Sequence, residues 1–301
     1  MRDDHVFIMG PPRSGTLMLS RALGRYSETY LITEHKKKSV VPEEQNPKPD
    51  REFWREAFGL SRLPLEEVEF DEKAFAHLNA LWTASSDGRR MIIKNPNNVV
   101  RAKEIRRAFP NAQFVWLLRN PWAVIQSMLR GKQAGHKTPM FLGAAEVLKH
   151  EDPVLRAAAS WVHAINIMRQ VGSPADITTR YEDIVAKPGQ ELARIAQHLS
   201  LTDGARAEDV PESRAENFWT MRYLLRRSPA RRRIIETVAP FALDLGYPAT
   251  PPGFPGDDRI LAVHYLIRWL SRNKSPPYGF KRLEGMKSRL RATARKYIKG
   301  T

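Results

Sequence analysis

The feature that most constrains this chain lies in its first two dozen residues. A short apolar run, His5-Val6-Phe7-Ile8-Met9, passes directly into Gly10-Pro11-Pro12-Arg13-Ser14-Gly15-Thr16, and a helical pattern covers Ser14 to Arg25. A buried strand feeding a glycine-bracketed turn and then a helix aims backbone N–H groups and the positive helix end at one point, where a phosphate sits. Gly10 and Gly15 have the spacing of the nucleotide-triphosphatase pattern, but Thr16 stands where that pattern has its lysine. A cation, Arg13, lies inside the loop instead. The turn predicts an α/β fold with an anion site of its own kind.

The rest of the chain repeats the alternation. Strands are expected at Thr29–Ile32, Met91–Lys94, Gln113–Leu118 and Ile177–Tyr181, and helices at Asp71–Ala84, Asn98–Phe109, Pro121–Arg130, Pro153–Val171 and Pro188–Leu199. Strands separated by helices of this length are βαβ crossovers, so the fold class is α/β, a parallel β-sheet flanked by helices in the P-loop, nucleotide-kinase-like manner. After Leu201 the pattern is helical only, with segments near Pro229–Leu245, Asp258–Arg272 and Leu283–Ile298. The Pro/Gly-rich stretch from Tyr247 to Gly256 marks the boundary. It predicts an α/β domain over 1–246 and a helical C-terminal extension over 247–301, packed on the same domain.

A second anion grip is expected at Arg119, which ends the strand Gln113–Leu118 beside a helix opening at Pro121. The planar fork of an arginine can hold two oxygens of one phosphate, and Ser127 on the following helix adds a hydroxyl. Two anion pockets on one sheet edge favour a nucleotide phosphorylated at both its 3′ and 5′ ends over ATP. A P-loop nucleotide or small-molecule kinase is the alternative, and the missing loop lysine counts against it.

These motifs carry a family resemblance. Pro12-Arg13-Ser14-Gly15-Thr16 resembles the 5′-phosphosulfate loop of sulfotransferases that use 3′-phosphoadenosine-5′-phosphosulfate (PAPS). Leu118-Arg119-Asn120-Pro121, with Ser127 eight residues after the arginine, is similar to the family's 3′-phosphate site. Arg180-Tyr181-Glu182-Asp183-Ile184, followed by Pro188, resembles the unit that closes the cofactor pocket, and Tyr181 matches the tyrosine beside the adenine. Lys94-Asn95-Pro96 and Phe109-Pro110-Asn111-Ala112 look like stretches of the carbohydrate and tyrosylprotein branches. The basic-basic-glycine loop of the cytosolic phenol and steroid branch has no counterpart here, and Leu17 replaces the usual second Thr or Ser of the phosphosulfate loop. The resemblance spans Val6 to Leu201 and implies PAPS as donor, with no metal.

Sulfuryl transfer is an in-line displacement, so catalysis should rest on positioning and charge stabilisation, by analogy with phosphoryl transfer. Arg13 is the expected cation for the leaving phosphate oxygen, at the position where the family carries its catalytic Lys or Arg. Lys94, at the end of its strand, is the second cation. Glu34 falls where the resembling branches place a catalytic glutamate, and Lys36, Lys37 and Lys38 nearby favour its ionised form. His35 is the alternative base, with an intrinsic pKa nearer the working pH. In an extended segment the two side chains face opposite ways, so one of them faces the donor.

Composition bounds the partners. The chain has no cysteine, and its eight histidines show no i,i+4 pairing, so no metal site is expected. Lys plus Arg outnumber Asp plus Glu by 49 to 33, a net charge of +16, which suits a polyanionic donor, an anionic acceptor, nucleic acid or an anionic membrane. Nucleic acid is not expected, because the basic residues are spread out and no nucleic-acid module is recognisable. Gly10, two prolines and Arg13 interrupt the apolar stretch from Val6 to Leu23, so neither a membrane span nor a signal peptide is expected. Lys281 to Thr301 holds eight basic residues against Glu284, with Leu283, Met286, Leu290 and Tyr297 at helical spacing. That pattern predicts a basic amphipathic helix, a solvated packing helix in one reading and a peripheral contact with anionic membrane in the other. The expected acceptor is a small molecule or glycan with a hydroxyl, and the expected location is cytoplasmic.

Overall fold

In the computed structural model of the chain, residues 4–33, 86–130, 141–202 and 218–252 are described, with 73, 76, 79, 80, 83, 84 and 210 described singly. Five strands form one sheet: β1 (Val6–Met9), β2 (Thr29–Thr33), β3 (Arg90–Lys94), β4 (Gln113–Leu118) and β5 (Ile177–Arg180). Every pairing is parallel, in the order β2-β3-β1-β4-β5. β1, β3 and β4 read as near-continuous apolar runs because helices cover both faces of a parallel sheet, whereas the edge strand β5, Ile177-Thr178-Thr179-Arg180, leaves Thr178 exposed. Alternate residues go to opposite sides. Phe7, Met9, Phe114 and Trp116 pack with Ile105, Phe109 and Ala164, whereas Val6, Ile8, Val115 and Leu117 pack with Leu19, Leu23, Leu192 and Ile195.

The helices on the second face are α1 (Thr16–Leu23), and later α7 (Pro188–His198). The first face is covered by α2 (Ala102–Ala108) and by α5 (Pro153–Val171). Between them in sequence come α3 (Pro121–Arg130), a short α4 (Ala145–Leu148) and, after β5, α6 (Tyr181–Ala186). A third apolar cluster joins α3 and α5 to α8 (Trp219–Arg227) and α9 (Arg231–Asp244) through Trp122, Trp161, Met221 and Ile234. Among the described residues no helix is long and apolar enough to cross a membrane.

The strand order places a crevice. β1 leaves the sheet through α1 on one face, and its neighbour β4 leaves through α3 and α5 towards the other. Diverging exits from adjacent strands open a cleft beyond their carboxyl ends, the usual ligand position of open α/β sheets. The opposite edge is stitched shut by polar groups. Buried Arg90 donates to the carbonyls of Asp4 and Leu199 and to the side-chain oxygen of Gln113. Asp176 accepts from Arg106 at 2.7 Å, from the Phe114 N–H at 3.0 Å and from the Trp116 indole at 3.3 Å.

Some elements depart from the sequence expectation. The fifth strand ends at Arg180, and Tyr181 opens α6, whose last turn is closed by the Lys187 N–H donating to the Asp183 carbonyl. The helix expected from Asn98 splits into a 3-10 turn over Pro96–Val99, capped by the Asn95 side chain, and α2 from Ala102. α4 and α6 are additional helices too short to show a clear apolar period, and α8 is an additional helix whose apolar face is Met221, Leu224 and Leu225. Most of the helix expected at Asp71–Ala84 lies outside the described residues, as do the helices expected at Asp258–Arg272 and Leu283–Ile298.

Candidate active site

The loop after β1 is shaped by three residues with positive φ: Gly10 at 149°, Arg13 at 71° and Gly15 at 104°. A Cβ at Gly10 would stand 2.5 Å from the Leu117 carbonyl oxygen of β4, and one at Gly15 would stand 2.7 Å from the Tyr181 ring. Both glycines are therefore required by close approach as well as by backbone angle. Ser14 is fully buried and closes the turn, its N–H and its hydroxyl both donating to the Pro11 carbonyl, at 3.1 and 2.7 Å. Gly15 is the N-cap of α1, which has neither a side-chain cap nor an acidic residue in its first turn. The N–H groups of that turn face the crevice with the positive end of the helix behind them. Thr16, the first residue of α1, is buried.

Arg13 is a non-glycine residue in the left-handed region, a conformation that costs roughly 1–2 kcal/mol and that surrounding contacts must hold. Its Nε donates to Ser127 Oγ of α3 at 3.3 Å. From the other side, Arg119 donates from Nη1 to the Arg13 carbonyl at 3.1 Å. The Arg119 guanidinium also lies 4.0 Å over the Tyr181 ring. Burial, and secondly the charge of Arg119, hold the Arg13 pKa below its ordinary value. Two guanidiniums within each other's field, at the mouth of the β1/β4 crevice, make a site of strong positive potential.

The sequence expectation kept a 5′ pocket around Arg13 apart from a 3′ pocket around Arg119 and Ser127. The structure joins them: Ser127 meets Arg13 itself, and Arg119 braces the Arg13 backbone. Pro12, Ser14, Gly15 and Thr16 belong to the same loop and helix start, and the Tyr181 ring lies against it at Gly15. Lys94 is buried at the carboxyl end of β3, paired in register with Thr33 of β2. It shares the sheet edge with Arg13 and Arg119. Glu34 and His35 follow Thr33 directly and lie outside the described residues, as do the basic loop at 131–138 and the basic segment at 281–301.

A supporting layer escaped the sequence reading. Glu182 accepts from the Asn120 N–H at 2.8 Å and from the Tyr247 hydroxyl at 3.1 Å. Asn120 in turn caps α3 by accepting from the Trp122 N–H at 3.0 Å. Burial first, then the neighbouring Glu182 carboxylate, push the Tyr247 hydroxyl well above its ordinary pKa. The Trp161 indole donates to the Arg119 carbonyl at 3.3 Å, and the Trp122 indole to the Pro248 carbonyl at 2.9 Å. Residues 247 and 248 thus fasten the strand-end turn that carries Arg119. Only the Glu182–Asp183 pair at a helix start hinted at this in sequence, and an acid there reads equally as a solvated first-turn residue.

A model of the sulfotransferase family matches residues 5–204, and the chain belongs to that family. Among curated relatives, the omega-hydroxy-beta-dihydromenaquinone-9 sulfotransferase Stf3 of Mycobacterium bovis is 29% identical over 121 residues, 38% of this chain and 30% of that protein. A putative protein-tyrosine sulfotransferase of Caenorhabditis briggsae is 26% identical over 208 residues, 65% of each chain. The chain thus spans between about a third and just under two thirds of the length of these relatives. The crystal structure of sulfotransferase STF1 from Mycobacterium tuberculosis H37Rv aligns over 78% of this chain and 76% of that one, with a TM-score of 0.48 and 17% identity.

Proposed function

We propose that the protein is a PAPS-dependent sulfotransferase that moves a sulfuryl group to an acceptor hydroxyl. The observation that carries this reading is the joined cluster of Arg13, Arg119 and Ser127 at the β1/β4 crevice, in a chain of the sulfotransferase family. The residues present fit such a donor. Gly10 and Gly15 let the loop pack against the Leu117 carbonyl and the Tyr181 ring where a Cβ would clash, the first turn of α1 carries no acid, and Arg119 over Tyr181 offers a cation beside an aromatic face. PAPS, when bound, supplies the sulfuryl group on its 5′-phosphate.

Each residue has a separate task. The loop from Pro12 to Thr16 binds the 5′ end through backbone N–H groups, with Ser14 holding the loop shut. Arg13 meets the negative charge that grows on the leaving phosphate oxygen, and Lys94 neutralises the sulfonate oxygens; fixed charges in a dehydrated crevice act most strongly where charge develops. Arg119 and Ser127 hold the 3′-phosphate, and Tyr181 borders the adenine. Glu34 takes the proton of the acceptor hydroxyl, with His35 the alternative base. The acceptor is a carbohydrate or glycolipid, in keeping with the carbohydrate and tyrosylprotein branches. The basic segment at 281–301 is either a solvated packing element or a peripheral contact with anionic membrane, and the proposed location is cytoplasmic.

Calorimetry with adenosine 3′,5′-bisphosphate in the absence of magnesium tests the donor site. The wild type should bind it, and Arg119→Ala should weaken binding about ten- to a hundredfold, the worth of a charge-assisted phosphate contact. Unchanged affinity in Arg119→Ala, or a preference for magnesium-ATP, overturns the reading in favour of a kinase-like site.

A further inference from the structure

A second concentration of charge lies away from the donor crevice. From Arg222 to Ile235 the chain holds six arginines and no acidic residue. Five of them, Arg226 and Arg227 at the end of α8 and Arg231, Arg232 and Arg233 at the start of α9, are exposed. The junction is held against the start of α5, where Ser228 donates to Asp152 at 2.9 Å while Asp152 caps α5 through the N–H groups of Val154 and Leu155. Lys149 and Arg156 flank it: the pKa of His150 lies below its ordinary value through burial first and then through Arg233 and Lys149. Of the four acids at the border, Glu151 is exposed and the other three are engaged in local contacts. Glu146 pairs with Lys149, Glu236 with Arg232, and Asp152 with the helix start.

Folding gains little from this arrangement, in which Arg232 pairs with Glu236 on the surface and Arg227 lies 5.0 Å over the Tyr223 ring. Three arginines occupy the first turn of α9, where the helix dipole is already positive and where acids are preferred. Like charges at this density repel, and surface pairs such as Arg232–Glu236 return little. Arginine is also the cation suited to gripping carboxylate or sulfate at two oxygens.

The position of the cluster is as informative as its charge. Trp161 of α5 bonds the carbonyl of Arg119 at the carboxyl edge of the sheet, and α5 then runs down the sheet towards the start of β5. The first turns of α5, and with them the α8–α9 junction, therefore stand beyond the edge on which the donor crevice opens. α8 is fixed at its other end beside Ser127, since the Met221 N–H donates to Gln126 and Arg130 donates to Thr220. The six-residue step along α8 from Met221 to Arg227 rises roughly 9 Å from that anchor to the arginines.

We infer that the α8–α9 arginine cluster holds the anionic groups of the acceptor, so that the acceptor is an acidic carbohydrate carrying carboxylate or sulfate groups at a distance from the reacting hydroxyl. An anionic membrane is the less favoured partner, because the junction offers only guanidiniums; among the described residues the one large exposed apolar side chain is Leu243, at the far end of α9. The inference rests on the proposed sulfotransferase reading.

Its test is binding without any donor. Full-length protein is titrated with oligogalacturonate, with sulfated dextran oligosaccharide and with neutral maltodextrin of equal length, at several salt concentrations. The wild type should bind an acidic oligosaccharide with affinity that falls steeply with salt, and not the neutral one. Changing all five arginines to alanine should weaken this at least about tenfold. A control with Arg25→Ala, Lys103→Ala and Lys187→Ala, exposed cations elsewhere, should bind as the wild type does. Absence of acidic-oligosaccharide binding, equal binding by the five-alanine variant, or loss of equal size in the control overturns the inference. So does a wild type that prefers phosphatidylserine vesicles and loses them in the five-alanine variant. Adenosine 3′,5′-bisphosphate affinity, measured on the same samples, should be unchanged by the five substitutions. A wild type that fails to bind the bisphosphate breaks the donor reading, whereas failure of the oligosaccharide arm alone breaks only the acceptor assignment.

Discussion

The two edges of the sheet use the same residue type in opposite ways. At the amino edge Arg90 is enclosed by the carbonyls of Asp4 and Leu199 and by Gln113, and Arg106 meets the carboxylate of Asp176 while lying 3.8 Å over the Phe114 ring. Their charge is answered by protein acceptors that tie four strands and α7 together. At the carboxyl edge Arg13 and Arg119 are braced against a hydroxyl, a carbonyl and an aromatic face, and each adds to the other's field. The backbone there is held at positive φ, and both glycines sit in contact with neighbouring elements. One edge uses its polar groups for cohesion and the other keeps charge concentrated for a ligand. Strain and like charge gather where a site is preorganised.

That contrast can be broken most sharply at Arg13. Arg13→Ala should lower turnover about a hundred- to a thousandfold, the scale of losing one preorganised charge in a transfer site, while the urea midpoint stays that of the wild type. A fall in midpoint with turnover preserved would make Arg13 a structural residue and erase the difference between the edges. Arg90→Ala should give the reverse outcome. Three acceptors, one buried and two partly buried, lose their donor, so unfolding should become easier by about 3 kcal/mol. Bisphosphate affinity of the folded fraction should be retained.

The smallest effect sharpens the comparison from beneath the site. Tyr247→Phe removes one hydroxyl–carboxylate bond to Glu182 and should reduce stability by about 1 kcal/mol. The pH dependence has a definite sign. The folded hydroxyl has a raised pKa, so the folded state keeps its proton where the unfolded tyrosine, with an ordinary value near 10.0, releases it. This contribution is fully present below pH 10 and is lost as pH rises beyond it. The wild type should therefore lose more stability than Tyr247→Phe between about pH 9 and 11 in paired urea titrations; parallel curves would show that Tyr247 is already solvated.

Much of this was legible in the sequence, and the reasons differ from one element to another. Val6–Met9 and Gln113–Leu118 announce themselves as strands because a sheet covered on both faces demands unbroken apolar runs. The loop from Gly10 to Thr16 is readable because glycine and proline restrict backbone in ways that a short string of residues records. α5 falls at Pro153–Val171 as expected, with Asp152 before a proline at its start. β5 ends one residue before the apolar pattern suggests, since Arg180-Tyr181 carries no breaker and only the α6 hydrogen bonds decide it. The Glu182–Asn120–Tyr247 layer was invisible because each of its bonds spans more than 60 residues. The arginines of the α8–α9 junction could be counted in the sequence, but not placed.

Local pattern, then, settled the alternation of strand and helix and the turn built for an anion, because backbone preference and two-sided burial act over a handful of neighbouring residues. Which strands lie side by side was left to the packed molecule. The β1–β4 pairing sets Arg119 against a loop 106 positions away and brings Ser127, 114 positions from Arg13, into the same cluster. Contacts at such separations follow from sheet order and helix packing, which no short stretch of the chain encodes by itself.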